Sequence, residues 1–131
     1  MNFLIDHNLE GHAVILLGCL ASQGWLDFVD IRFVNFAEIG LSIKSSDRLV
    51  WQIAQENNII LLTANRSMKG EDSLERVMRE ENTLTSLPVL TIGNADRILN
   101  DLVYRDLCVE RLVDIVLDID DYRGAMRIFI P

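Results

Sequence analysis

The chain has 131 residues and a mass of 14.9 kDa, which suits one compact domain, so we expect residues 1–131 to fold as a single domain. Half of the residues are apolar and 24% are charged, a composition that excludes disordered, collagen-like and low-complexity proteins. Twelve Lys and Arg against twenty Asp and Glu give a net charge of −8, which disfavours generic affinity for RNA.

The composition also bears on the compartment. No apolar run approaches the ~20 residues of a membrane span, and the amino terminus lacks the basic opening of a signal peptide. We therefore expect a cytoplasmic protein with no membrane partner. Cys19 and Cys108 lie within helical apolar patterns without further ligands nearby in sequence, so we expect buried thiols and not a zinc site or a disulfide.

Short apolar runs predict the strands. The run 59–63 is the most apolar and is expected to be a strand buried on both faces at the centre of the sheet. The run 30–36 alternates polar and apolar residues, which is typical of a strand near a sheet edge. The other runs predict a first strand, a later strand and a final edge strand: 2–6, 88–93 and 125–130.

Between these runs lie segments with helical spacing. They are 9–23, 46–57, 72–82 and 94–118, the last with a break expected near Tyr104. The inward residues expected of the first two helices are Val14, Leu17, Gly18 and Ala21, then Leu49, Val50, Ile53 and Ala54. An acidic ridge on the last helix is expected to face water: Asp106, Glu110, Asp114 and Asp118.

Alternating strands and helices predict an α/β protein, a three-layer sandwich with a mainly parallel central sheet of four to five strands. Ligands of such sheets bind beyond the carboxyl ends of the strands. Polar clusters fall at that edge in this chain: Asp6-His7-Asn8, Asn35, 63–66 and 91–96, with Asp47 and the Glu71-Asp72 pair at the starts of helices.

Carboxylates gathered at one edge raise each other's pKa unless a cation neutralises them, and Mg²⁺ or Mn²⁺ prefers oxygen ligands. Asp6 is the strongest candidate ligand because it directly follows a buried strand, although it could instead cap the next helical turn. Asp47 and Asp72 are further candidates, each of which could instead be an ordinary acidic residue at a helix start.

Other polar residues at this edge suit contact with a substrate. Arg66 and Lys69 lie in a loop that leads to a helix and could hold a phosphate, or could simply be solvated. His7 and Asn8 follow the first strand and could also meet substrate. The chain has no Walker loop, no GxGxxG after the first strand and no GxSxG elbow.

The order of these features resembles a family. An apolar strand ending in Asp6-His7-Asn8, a helix opened by Asp47, and Ile59-Ile60-Leu61-Leu62-Thr63 before a polar turn are similar to the small PIN-like proteins of the domain-of-unknown-function type. The resemblance covers about residues 2 to 92. It implies a PIN-like fold and a metal-dependent ribonuclease, in many members the toxin of a toxin-antitoxin pair.

The resemblance also implies site residues. Asp6 matches the first acidic residue of the pattern and Asp47 the acidic residue that opens the middle helix. Where the pattern has Asp two residues after Thr63, this chain has Asn65, which can ligate through its carbonyl but brings no charge. Glu71 or Asp72 is the candidate replacement for the missing carboxylate.

Two functions therefore stand at the sequence level. The first is a Mg²⁺- or Mn²⁺-dependent endoribonuclease with Asp6, Asp47 and Asp72 as catalytic and metal-ligating residues, helped by Asn65. The second is a non-catalytic PIN-like module that binds an antitoxin, another protein or a second copy of itself. Exposed apolar residues would favour it, and the candidates are Trp25, Leu26, Phe28 and the tail Ile128-Phe129-Ile130. A phospho-acceptor receiver fits less well, because it needs an acidic pair after the first strand.

Overall fold

A computed structural model describes residues 1–66 and 70–131. Strands and helices alternate along the chain. The strands are β1 (Asn2–Ile5), β2 (Arg32–Val34), β3 (Ile60–Thr63), β4 (Val89–Thr91) and β5 (Arg127–Phe129). The helices are α1 (Glu10–Ser22), α2 (Asp47–Glu56), α3 (Leu74–Glu81), α4 (Ala95–Asn100), α5 (Leu102–Leu117) and α6 (Ile119–Tyr122).

The five strands form one parallel sheet in the order β2-β1-β3-β4-β5. The predictions that 59–63 is central, that 30–36 lies at an edge and that the tail adds a final edge strand are confirmed. Each crossover is long enough to hold a helix, which a parallel connection requires. All the strands therefore end at the same edge of the sheet.

Two apolar layers cover the sheet. On one face Phe3, Ile60 and Leu62 pack with α1, α4 and α5. On the other face Leu4, Leu61 and Val89 pack with α2 and α3. Alternate residues of each central strand point to opposite faces, so near-continuous apolar strands are buried on both sides. The predicted three-layer α/β sandwich is confirmed.

The inward face of α1 differs from the one that sequence spacing predicts. Ala13, Leu16 and Leu20 are buried, whereas Val14 is 69% exposed. The segment is apolar on nearly every side, so its spacing does not select one face, and packing against the sheet decides. Gly24 follows the helix with a φ of +80°, a left-handed conformation that glycine adopts without strain.

Two further expectations shift by a few residues. On α2, Trp51 joins Val50 and Ala54 in the core, whereas Leu49 is 43% exposed. The break in the last helical region comes at Asp101, three residues before Tyr104, because the Asp101 side chain caps α5 by accepting from the Tyr104 N–H. The acidic ridge faces away from the core, since α5 buries the opposite side: Cys108, Val109, Leu112, Val113 and Ile115.

No helix in the described ranges 1–66 and 70–131 has the length and apolar character that a membrane crossing needs.

Candidate functional site

One cavity lies where β1 and β3 end. It has a volume of about 200 Å³, and Asp6, His7 and Asn8 line it together with Asp47 and Asn65. Five of the residues predicted for the site thus meet in one place, although they come from three separate parts of the chain. We call this space the Asp6–Asp47 cavity. Thr63, Ser45 and the apolar Phe36, Ile43, Val50, Leu61 and Leu74 complete its wall.

Asp6 is fixed in two ways. Its backbone N–H donates to the Leu62 carbonyl at 3.0 Å, which continues the β1–β3 ladder by one bond. Its side chain accepts from the Asn8 N–H at 3.4 Å, so it caps a short 3-10 turn over His7–Leu9. The capping role that the sequence offered is thus present, and the same carboxylate also lines the cavity.

Thr63 connects Asp6 to Asn65. Its buried hydroxyl, with the residue only 1% exposed, donates to Asp6 Oδ2 at 2.6 Å. The same oxygen accepts from the Asn65 N–H at 2.9 Å. Because a hydroxyl has one proton to give, the backbone donor from Asn65 directs that proton to Asp6. Thr63 thereby sets the orientation of the Asp6 carboxylate and of the backbone at Asn65.

Asp47 stands at the first position of α2, where Ser46 caps the helix by accepting from the Leu49 N–H. Its Oδ2 accepts from Asn65 Nδ2 at 2.9 Å and from the Leu74 N–H at 3.2 Å. Both bonds go to the same oxygen. Among the described residues, Asp47 Oδ1 has no hydrogen-bond partner, and it is the carboxylate oxygen available to a ligand of the cavity.

A chain of hydrogen bonds consequently links the carboxylates of Asp6 and Asp47 through two neutral residues, Thr63 and Asn65. Asn65 is the member that joins the two halves, through its backbone N–H on one side and its side-chain amide on the other. The amide donates to Asp47, which a carboxylate at position 65 could not do in its ionised form.

The predicted third acidic residue lies elsewhere. Asp72 does not line the Asp6–Asp47 cavity, and its Oδ1 accepts from Arg48 Nε at 2.9 Å. Glu71 offers its backbone carbonyl to Arg48 Nη2 at 2.8 Å. Sequence proximity put both residues near the start of α3, but Ser73 and not Asp72 caps that helix. The structure therefore brings together Asp6, Asp47 and Asn65 and leaves Glu71 and Asp72 with Arg48.

Arg48 organises the acidic residues of this neighbouring region. It also donates to Glu80 at 2.8 Å and contacts Glu81 through Nη1. The hydrogen bond that Arg48 donates to Glu80 is the main cause that raises the pKa of Arg48, and the same bond lowers the pKa of Glu80. This cluster ties α2 to α3 beside the cavity.

The remaining polar residues predicted for this edge lie in different places. Arg66 is exposed and lies in a different depression, with Gly93, Asn94 and Asp96 at the ends of β4. Lys69 lies outside the described residues. Asn35 lines a separate groove between α1 and β2 and forms reciprocal hydrogen bonds with Glu38.

Sequence reasoning missed Arg127, which supports the site from β5. Its side chain is only 9% exposed, and Nη1 donates to the Asn65 carbonyl at 2.8 Å and to Thr91 Oγ1 at 2.6 Å. Its Nε donates to Glu75 on α3 at 2.9 Å. The available signal was a lone arginine at the head of an otherwise apolar edge strand.

The oxygen donors of the cavity fit one hard divalent cation. Mg²⁺ takes one or two carboxylates and keeps several waters, which agrees with Asp6 and Asp47 as a pair. In the ranges 1–66 and 70–131, no group of three or more His, Cys, Asp and Glu side chains is placed to hold a metal ion. Asp6 and Asp47 are therefore the carboxylates with which the cavity would hold such a cation.

Comparison of the chain with family models, with curated proteins and with solved structures gives no match.

Proposed function

We propose that the Asp6–Asp47 cavity is the active site of a Mg²⁺- or Mn²⁺-dependent endoribonuclease of PIN-like type. One observation carries the proposal: Asp6, Asp47 and Asn65, which are distant in sequence, line one cavity at the carboxyl ends of parallel strands and share one hydrogen-bonded chain. That edge is where open α/β sheets bind ligands. A role as the toxin of a toxin-antitoxin pair belongs to the same proposal.

Asp6 and Asp47 would hold the cation, with Asn65 fixing the distance between them. A divalent cation bound there supplies a Lewis acid that neutralises phosphate charge and activates water. The protein's own part is preorganisation: Thr63 orients Asp6, while Asn65 and the Leu74 N–H orient Asp47. Asp72 has no part in this proposal, because Arg48 holds it.

The test is calorimetric titration with Mn²⁺ of the wild-type chain and of three matched variants, Asp6→Asn, Asp47→Asn and Asp72→Asn. We expect Asp6→Asn and Asp47→Asn to weaken binding at least about tenfold, as loss of even an indirect ligand contact does. Asp72→Asn, which removes the same charge outside the cavity, should bind as the wild type does.

Cleavage of a fluorescent single-stranded RNA in the presence of Mn²⁺ should follow the same order among the variants. A wild-type chain that neither binds Mn²⁺ nor cleaves RNA would overturn the proposal.

A protein-binding module stays the alternative prediction. Phe28 is 83% exposed and Leu26 37% exposed, which favours it. Trp25, in contrast, packs against the core, and Ile130 is fully buried where β5 completes the sheet. Light scattering of the wild-type chain and of Phe28→Ser tests the self-association form of this alternative: a larger species that Phe28→Ser dissociates would favour it.

A further inference from the structure

The positive charge of this acidic chain is concentrated in one segment of its sequence, residues 44–79. Residues 44–79 contain six of the twelve Lys and Arg but only five of the twenty Asp and Glu. This segment therefore has a net charge of +1, whereas the rest of the chain has −9. The same segment contributes Asp47, Thr63 and Asn65 to the cavity.

Most arginines are already engaged. Arg48 and Arg76 pair with Glu80, and Arg97, Arg123 and Arg127 each pair with a nearby acid. Arg105 donates to backbone carbonyls, and Arg111 contacts Tyr122. Such side chains have little to offer a polyanion without first losing a partner.

Four cationic side chains in the described part of the chain have no side-chain hydrogen bond, ion pair or ring contact: Arg32, Lys44, Arg66 and Arg79. All four are exposed. Three of them belong to the segment 44–79, and only Arg32, on the edge strand β2, lies elsewhere. The segment that holds half of all Lys and Arg thus also holds three of the four unpaired cations among the described residues.

The three cations lie outside the cavity, on segments that contribute residues to it. Lys44 stands between Ile43 and Ser45, both of which line the cavity. Arg66 directly follows Asn65. Arg79 lines a cleft of about 410 Å³ with Gly70 and Arg76 on the exposed side of α3, the helix whose first N–H binds Asp47. Arg76 and Arg79 are three residues apart and so share one helix face.

We propose that Lys44, Arg66 and Arg79 bind successive phosphates of a single-stranded RNA whose chain crosses the Asp6–Asp47 cavity and continues onto the exposed face of α3. The inference rests on the proposed nuclease function and adds the path of its substrate. It would explain how a chain of net charge −8 binds RNA: the acidic ridge of α5 repels the polyanion, and the unpaired cations on the segments that form the cavity attract it. Arg76 contributes less, because Glu80 lies 3.4 Å from its guanidinium.

The experiment measures the dissociation constant of a fluorescein-labelled 12-nucleotide single-stranded RNA by anisotropy, in EDTA, between 50 and 200 mM KCl. The variants are Lys44→Gln, Arg66→Gln and Arg79→Gln, and the matched control is Arg32→Gln. All four remove one exposed and unpaired positive charge, so they differ only in position.

The affinity for RNA falls as salt rises, and each phosphate contact with a single strand contributes about −0.7 to the slope of log affinity against log salt concentration. We expect each of the three variants to make that slope shallower by about 0.7. The loss of affinity over a fourfold increase in salt should then be about 2.6-fold smaller than for the wild type. Arg32→Gln should keep the wild-type slope. Equal slopes for Arg79→Gln and Arg32→Gln, or no RNA binding at 50 mM KCl, would overturn the inference.

Cleavage separates this inference from the function on which it depends. If Mn²⁺-dependent cleavage is lost in Asp6→Asn while Arg79→Gln and Arg32→Gln bind RNA alike, the path is wrong and the nuclease proposal stands. If the three cations set the salt slope but the wild type neither binds Mn²⁺ nor cleaves, the binding path stands and the nuclease proposal fails.

Discussion

The side-chain amide of Asn65 donates to Asp47 Oδ2 over 2.9 Å, so a neutral residue holds one carboxylate of the site in place. The same residue donates its backbone N–H to Thr63, which in turn donates to Asp6. Asn65 therefore makes the two-carboxylate arrangement stable without a third charge. The first prediction tests this directly.

Asn65→Asp should destabilise the metal-free protein by about 1–3 kcal/mol, because it replaces a donor with a like charge beside Asp47. Added Mn²⁺ should reverse most of the loss, since three carboxylates bind a divalent cation more tightly than two. Thermal unfolding with and without Mn²⁺ measures both effects. Asn2→Asp, an equal charge change on the exposed start of β1, is the control. Equal stability of Asn65→Asp and wild type in EDTA would contradict the argument.

Thr63→Val should lower the free energy of unfolding by about 1–3 kcal/mol, because it leaves the Asn65 N–H without its acceptor and Asp6 without its donor. Thr63→Ser keeps the hydroxyl and should recover most of that loss. Urea denaturation of the three proteins gives the comparison. If valine and serine behave alike, the hydroxyl does not hold the site.

Arg127→Met should lower the free energy of unfolding by about 3 kcal/mol. It removes a nearly buried guanidinium that links β5 to Asn65, Thr91 and Glu75. Glu75→Gln should lower the free energy of unfolding less in the Arg127→Met variant than in the wild type, because the Arg127–Glu75 pair is already broken there. Urea denaturation of the double-mutant cycle measures the coupling. Arg111→Met, on α5, is the control, and its cost should stay below about 1 kcal/mol.

Asp101→Asn should remove a pH-dependent part of the stability. The Tyr104 N–H, and after it the Arg97 guanidinium, lower the pKa of Asp101 in the folded chain. Its contribution is present above the unfolded pKa of about 3.9 and is lost as the pH falls through the folded value. The difference in unfolding free energy between wild type and variant should therefore be larger at pH 6 than at pH 2. A difference independent of pH would show that the charge has no role.

Cys108 should be unreactive in the folded protein. It is fully buried, and burial raises its pKa to about 12, so little thiolate forms near neutral pH. Cys19 is partly exposed. At pH 8 Ellman's reagent should titrate one thiol in the native chain and two in denaturant, and Cys19→Ser should leave none in the native chain.

Local patterns in the sequence determined the elements of this protein and the class of its fold. The uninterrupted apolar run 59–63 indicated a strand covered on both faces, and the alternation of strands with helices indicated a mainly parallel sheet. The same logic named Asp6, Asp47 and Asn65, because residues that follow parallel strands or open the helices beside them share one edge.

Only the tertiary structure decided which partners these side chains have. Asp72 is close to the site in sequence, but Arg48 from α2 holds its carboxylate. Arg127 is distant in sequence, but β5 lies beside β4, so its side chain reaches Asn65. The face that α1 buries was likewise set by the sheet. Hydrogen bonds and packing between segments depend on three-dimensional distances, which residue spacing along one segment does not contain.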